Sequence, residues 1–234
     1  MDIKVLASSS SGNSYHISDG KTHLLLDAGI QLKRIQIALH FKICQLNACF
    51  ISHAHKDHSR ATIALAGLGI DIYTSAGTLE ACGGLKGHRF HVLQALKEVS
   101  VGSFKILPFD VQHDAPEPLG FLFSSIETDE KLLYFTDTFY LKYRFQGLTH
   151  IMAECNYDKE SLEYAVAAGY VPEIVQKRIV KSHMSLENLV EMLKANDLSK
   201  VKQIYLMHLS QNNSNEKHFK TEIQKATGAE VYLC

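Results

Sequence analysis

The chain has 234 residues, 46% of them apolar and 21% charged, and a net charge of −1 with histidine counted neutral. That suffices for one substantial core, as a single domain or two fused halves, and it lacks the basic excess of a protein that coats nucleic acid passively. No uninterrupted run of about 18 apolar residues offers a membrane span.

Residues 3–6 read as a short strand, followed by the polar segment Ser8-Ser9-Ser10-Ser11-Gly12-Asn13-Ser14, whose Gly12 and Asn13 suit a tight turn. Residues 15–17 and 23–27 read as two strands joined at Asp19-Gly20. Leu32, Ile35 and Leu39 stand at helical spacing and predict a short helix over residues 32–40. Residues 48–52 form the near-continuous apolar run of a buried strand. A helix over 61–68 and a strand over 70–73 follow, then short strands over 90–93, 104–109, 120–126 and 131–135. The remainder alternates: a strand over 151–155, a helix over 159–168, a helix marked by Leu186, Leu189, Val190 and Leu193 on one face, a strand over 201–207, a helix over 218–226 and a last strand over 230–233. Strand-rich halves with helices inserted at similar stages predict one domain over residues 1–234. Its class is α/β, an αββα sandwich of two mixed β-sheets flanked by helices.

The five cysteines, Cys44, Cys49, Cys82, Cys155 and Cys234, form no CxxC pair and are odd in number, as expected of reduced thiols in a cytoplasmic protein. The beginning of the chain lacks the apolar core of a secretory segment. Histidine is the unusual count, at 13.

Four of those histidine and aspartate side chains, His53, His55, Asp57 and His58, fall within six residues directly after a buried strand. His53 and His55 share a side at period two, while Asp57 and His58 can address a second ion. Imidazole and carboxylate are suitable donors for zinc, manganese or iron. A polar surface loop is the bland alternative, and four ligand-type groups at this spacing argue against it. Further candidates recur directly after apolar strands: His113, Asp137 and His208, where strands deliver side chains to one edge of a sheet. His16, His23, His40, His88, His91, His150 and His218 match no such pattern.

The segment His53-Ala54-His55-Lys56-Asp57-His58 resembles the HxHxDH motif of the metallo-beta-lactamase fold superfamily over essentially the whole chain. More closely, residues 6–15 with Leu26-Asp27-Ala28-Gly29 look like the YycJ/WalJ-like branch of bacteria and their phages, whose members are regarded as DNA exonucleases acting on 5′ ends. The resemblance implies two divalent ions, zinc or manganese with iron a further candidate. His53, His55 and His113 would hold one; Asp57, His58 and His208 the other; Asp137 would bridge them. Two aspartates against two divalent ions leave a net positive centre, suited to a phosphodiester and its more anionic transition state.

Around that set, Asp27 is a candidate for orienting a ligand imidazole, and Ser11, Asn13 and Ser14 for touching a phosphate with hydroxyls and backbone N–H groups. His183 stands just before a helix for which Ser185 is a natural N-cap. It can donate to a phosphate oxygen or a departing alkoxide, as resemblance to the phosphodiesterase members of the superfamily, transfer-RNA 3′-processing endonucleases among them, also suggests. Glu154 is its candidate partner at a strand end, and Asp57, Glu154 and His183 form the expected catalytic set. The leading expectation is a two-metal phosphodiesterase acting on nucleic acid, DNA first, with Lys142, Arg144, Lys177, Arg178 and Lys181 as modest help. A glyoxalase-like thioesterase or lactonase of the same superfamily is the alternative, and a non-catalytic binding module the most remote reading.

Overall fold

A computed structural model describes residues 1–209 and 215–234. The chain divides into two compact units, Met1–Asp110 with Ala115–Glu130, and Val111–Asp114 with Lys131–Cys234.

The first unit contains β1 (Asp2–Ala7), β2 (Ser14–Ser18), β3 (His23–Leu26), α1 (Leu32–Ala38), β4 (Ala48–Phe50), α2 (Lys56–Ser59), α3 (Thr62–Gly67), β5 (Asp71–Ser75), α4 (Ala76–Ala81), β6 (Phe90–Leu93), β7 (Val99–Val101), β8 (Phe104–Asp110) and β9 (Leu119–Ser125). Strands β1 to β6 lie side by side in sequence order. The first three pair antiparallel and the last four parallel. A strand covered on both faces has no polar side to show, which explains the unbroken apolar run at β4. Leu25 and Cys49, adjacent in register, face a layer built on Ile35 of α1 and Leu65 of α3. Phe50 points the other way and meets Phe121 and Phe123 of β9 edge-on, at ring-centroid separations of 5.6 and 5.4 Å. Helix, sheet and second strand layer are thus stacked within this unit.

The second unit contains β10 (Lys131–Phe135), β11 (His150–Glu154), α5 (Lys159–Ala167), α6 (Glu173–Ser182), α7 (Leu186–Lys194), β12 (Gln203–Met207), α8 (Glu216–Thr227) and β13 (Glu230–Leu233). Its four strands pair in parallel. Every residue of β11 is buried. Helix α7 begins at Ser185, whose hydroxyl accepts the Asn188 N–H, and buries Leu186, Leu189, Met192 and Leu193.

Four of these elements escape the sequence pattern: α2, α4, α6 and β7. Helix α6 exposes Ile174, Val175 and Val180 and turns Gln176, Ile179 and Ser182 inward, so its inner face is not an apolar stripe. Helix α4 is a six-residue turn rich in small residues, started by the Ser75 hydroxyl accepting the Thr78 N–H. Strand β7 has three residues, too short for alternation to show.

Asp19, at the β2–β3 turn, fastens that turn to the strands opposite. It accepts the hydroxyls of Ser103 at 2.6 Å and Ser125 at 2.7 Å, and the N–H groups of Lys21 at 3.1 Å and Thr22 at 2.9 Å. Burial works against its charge, but these donors to the carboxylate prevail and lower its pKa from 3.8 to about 2. A depressed carboxylate pKa contributes stability above the unfolded value, and that contribution disappears as pH falls toward about 2. Asp19→Ala should therefore lower unfolding free energy at neutral pH by roughly 0.5–1.5 kcal/mol, discounted for the solvent that reaches this carboxylate, with the difference from the parent chain closing in denaturation curves taken on acidification.

Candidate metal centre

In the first unit, the loop after β4 turns into α2 and carries His53, His55, Asp57 and His58 together. The rings of His53 and His55 lie 4.8 Å apart and those of His53 and His58 4.2 Å apart, centroid to centroid. Lys56, in the same segment, is exposed. Asp27 is the anchor of this cluster. It is fully buried at the end of β3, and its left-handed backbone (φ 55°) turns the carboxylate back across β4. One oxygen accepts the Ser52 N–H at 2.7 Å, and the other lies 2.7 Å from His58 Nδ1 and 2.9 Å from the Ser52 hydroxyl. A carboxylate there requires the proton on Nδ1, which leaves a lone pair on His58 Nε2 for a ligand. In this structure that lone pair accepts the Asn13 amide at 3.1 Å, a contact that a bound ion would replace.

The serine–glycine segment closes over this loop rather than standing away from it. The Asn13 N–H donates to the Asp57 carbonyl at 2.7 Å, and the Gly29 N–H to the Asn13 carbonyl at 2.8 Å. The Ser14 hydroxyl donates to the Asp27 carbonyl at 2.9 Å, while Ser11 pairs with the Ser9 hydroxyl at 2.7 Å. Gly29 is required by close approach, since a Cβ there would sit 1.6 Å from the Asp57 carbonyl oxygen.

In the second unit, the ends of β10, β11 and β12 converge with His113 and His183. Glu154, fully buried at the tip of β11, receives His183 Nδ1 at 2.5 Å and His208 Nδ1 at 3.2 Å on one oxygen. Its other oxygen takes the N–H groups of Thr138 at 3.0 Å and Met184 at 3.2 Å. Asp137 lies 3.3 Å from His208 Nδ1 and 3.6 Å from His113 Nε2. Ligand-type atoms of Asp137, Glu154, His183 and His208 all fall within 4.8 Å of one another. His113 Nδ1 is fixed by the Ser182 carbonyl at 3.2 Å, and Asn156 donates to the His208 carbonyl at 2.9 Å.

The charges in this cluster depend on one another. Burial opposes ionisation of Glu154, yet the His183 imidazole prevails and lowers its pKa. Burial likewise opposes charging His183, but the Glu154 carboxylate outweighs it and raises the pKa. Burial lowers that of His113, against the opposing pull of Asp137 and Asp114.

Imidazoles and carboxylates gathered this densely, with their second nitrogens held by Asp27, Ser182 and Glu154, are the donor set that borderline divalent ions take. No cysteine joins a cluster among the described residues. Cys49 and Cys155 are buried, and that burial pushes their thiols well up.

The Beta-lactamase superfamily domain matches residues 22–209. The chain is 31% identical to "Exodeoxyribonuclease WalJ" of Streptococcus pneumoniae serotype 2, over 97% of this chain and 88% of that one. The chain belongs to this superfamily, in its YycJ/WalJ branch. It is also 28% identical to "Exodeoxyribonuclease YycJ" of Bacillus anthracis, over 92% and 84% of the two chains. Among solved structures, the metallo-beta-lactamase fold protein YhfI from Bacillus subtilis superposes with a TM-score of 0.77 at 16% identity, covering 99% of this chain and 95% of its own, a likeness of fold. The superfamily fold is the expected α/β sandwich of two mixed sheets flanked by helices. Fold, family and the histidine–carboxylate clusters together make this a metal-dependent hydrolytic enzyme of that branch. Among the described residues, no helix is long and apolar enough to cross a membrane.

Sequence reasoning missed Ser52, Thr138, Asn156 and Ser182. All four act by holding a ligand-type residue, a task that leaves no spacing signature.

Asp27→Asn puts an amide N–H opposite His58 Nδ1–H and pushes the ring toward the tautomer protonated at Nε2. Metal affinity should fall roughly 10–100-fold, as read by competition against a chromophoric chelator. Unchanged affinity would show that Asp27 does not set the His58 tautomer.

Proposed function

We propose that this protein is a DNA exonuclease that hydrolyses phosphodiesters from 5′ ends with two divalent ions, zinc or manganese, in the cytoplasm. His53, His55 and His113 are assigned to one ion, Asp57, His58 and His208 to the other, and Asp137 to both. When bound, the ions supply Lewis-acid stabilisation of phosphoryl charge and lower the pKa of water. The observation that carries the reading is the pair that buried Glu154 makes with half-buried His183 at the edge of the Asp137–His208 cluster. A thiolate leaves without help, whereas an alkoxide from DNA needs a proton. Glu154 holds one proton at His183 Nδ1 and favours the charged ring. His183 can then release the Nε2 proton to the departing oxygen and remain a neutral, Nδ1-protonated imidazole still bonded to Glu154. Arg178 and Lys181 line the opening that contains His113 and can receive phosphate oxygens. The exodeoxyribonuclease names of the relatives support DNA as the substrate.

With manganese supplied, end-labelled DNA should release its 5′ label as mononucleotide or short oligonucleotide, and chelation should abolish release. Turnover of a glutathione thioester with none on DNA would replace this reading with the thioesterase one. Asp137→Ala should cost both metal content and rate, because it removes a shared ligand and one of two compensating charges.

His183→Ala should keep its metals and lose roughly 10²–10⁴ in rate on DNA, the range for a positioned general acid. On a diester with a p-nitrophenolate leaving group the loss should be far smaller. Equal losses on both substrates, with metal content unchanged, would remove His183 from acid catalysis.

A further inference from the structure

His16 and His23 match no ligand pattern in the sequence, yet the antiparallel pairing of β2 and β3 brings them together. Across that pair His16 stands opposite Leu25 and Ser18 opposite His23, so the two imidazoles are diagonal neighbours on one face. His16 Nε2 lies 3.1 Å from His23 Nδ1, with the rings inclined by only 17°. Both side chains are half-buried, at a recess of about 150 Å³ to which Asp2 of β1 and His40 beyond α1 also contribute. Burial and the neighbouring His23 hold the His16 pKa below its ordinary value, against the pull of the Asp2 carboxylate. Lys4 adds to that lowering, and its ammonium is taken by the Ala38 carbonyl at 2.6 Å. His16 is thus kept as a neutral imidazole, the form that ligates a metal.

We propose that His16, His23 and Asp2 form a site for a further divalent ion of the zinc or copper type, separate from the candidate centre. Two nitrogens held by a tetrahedral zinc at about 2.0–2.1 Å stand roughly 3.3 Å apart, so the strands already set the imidazoles near the spacing an ion imposes. The proton shared between the rings does not have to leave. With His16 protonated at Nδ1 and His23 at Nε2, each ring presents one lone pair and stays neutral. Asp2 is exposed and swings in by a change of rotamer to supply the third donor and a compensating charge, with water in the remaining position. The site lies away from the candidate centre: His23 opens β3 and Asp27 follows its end, roughly 13 Å further along at about 3.3 Å per residue. Two imidazoles with one carboxylate favour zinc, copper or nickel over manganese. An ion there ties β1, an edge strand of the sheet, to β2 and β3.

The test is metal uptake by the full chain, with zinc and manganese as the probes. After equilibrium dialysis against zinc, the double variant His16→Gln/His23→Gln should hold one equivalent less than the parent by elemental analysis. The difference carries the result, whatever number of ions the candidate centre holds. Dialysis against manganese should give equal uptake by the two chains, which shows that the substitutions leave the candidate centre intact. Asp2→Asn should weaken zinc binding at this site by at least the loss of an outer partner, roughly tenfold. The unmutated chain gives a second reading that needs no variant to fold. In long-range proton–nitrogen spectra of the imidazoles, zinc should fix His16 as the Nδ1–H tautomer and His23 as the Nε2–H tautomer. The proposal is overturned if the double variant takes up as much zinc as the parent, if Asp2→Asn binds zinc as the parent does, or if zinc leaves the His16 and His23 resonances where they were.

Discussion

A carboxylate enclosed by protein is tolerable only when its oxygens are saturated by donors, because its desolvation penalty otherwise runs to several kcal/mol. Glu154 meets that condition with four donors drawn from three different segments: the loop after β10, the His183–Met184 turn twice over, and the residue after β12. The dependence is mutual. The β11–β12 register sets Glu154 opposite Met207 and so brings His208 beside the carboxylate, while the carboxylate fixes the imidazoles that the strand ends deliver. Removing Glu154 would release His183 and His208 at once, and truncating either histidine would leave a buried charge short of a partner. Stability and site geometry in this unit are therefore one property.

Asp27 serves the first unit in the same manner but with a different emphasis. Its donors are the backbone and hydroxyl of Ser52 and the ring of His58, so it ties β3 to the residue at which the histidine loop begins. Asn13 adds a second layer, holding the Asp57 carbonyl and His58 Nε2 together. The closeness of Gly29 to the Asp57 backbone completes a clamp on both sides of the loop.

The parts legible in the sequence were those that announce themselves by period or type. Buried strands show as apolar runs, α7 as a stripe with a serine cap, and the His53–His58 segment as a density of ligand-type residues that chance seldom produces. Asp137 and His208 could be named because each follows an apolar strand. The functions of Ser52, Thr138 and Asn156 were not legible, since a hydrogen bond between residues distant in the chain needs no fixed residue type. For Ser11, Asn13 and Ser14 the segment was conspicuous, but a turn that cradles an anion and a turn that braces its neighbours have the same composition. Only the geometry distinguishes them: the Asn13 N–H is engaged by Asp57 and the Ser14 hydroxyl by the Asp27 carbonyl.

Backbone conformation explains why the strands must be so well buried. Asp27, Asp137 and His208 all hold left-handed φ values, 55°, 48° and 54°, immediately or nearly immediately beyond β3, β10 and β12. A side chain that continued the pleat would point into one of the two covered faces. The left-handed step instead turns it along the end of the sheet, where a polar group can meet others of its kind. For residues other than glycine that step costs on the order of 1–3 kcal/mol each, and the Thr136 hydroxyl bound to Asp137 at 2.9 Å offsets part of it locally. The rest of the offset comes from the strands behind them: β3, β10 and β12 are almost wholly buried, and each apolar side chain enclosed there contributes roughly 1.5–3 kcal/mol. Replacing any of the three with glycine would relieve the backbone and delete the chemistry, so the strain is retained because the residue type, and not the turn, is what the site requires.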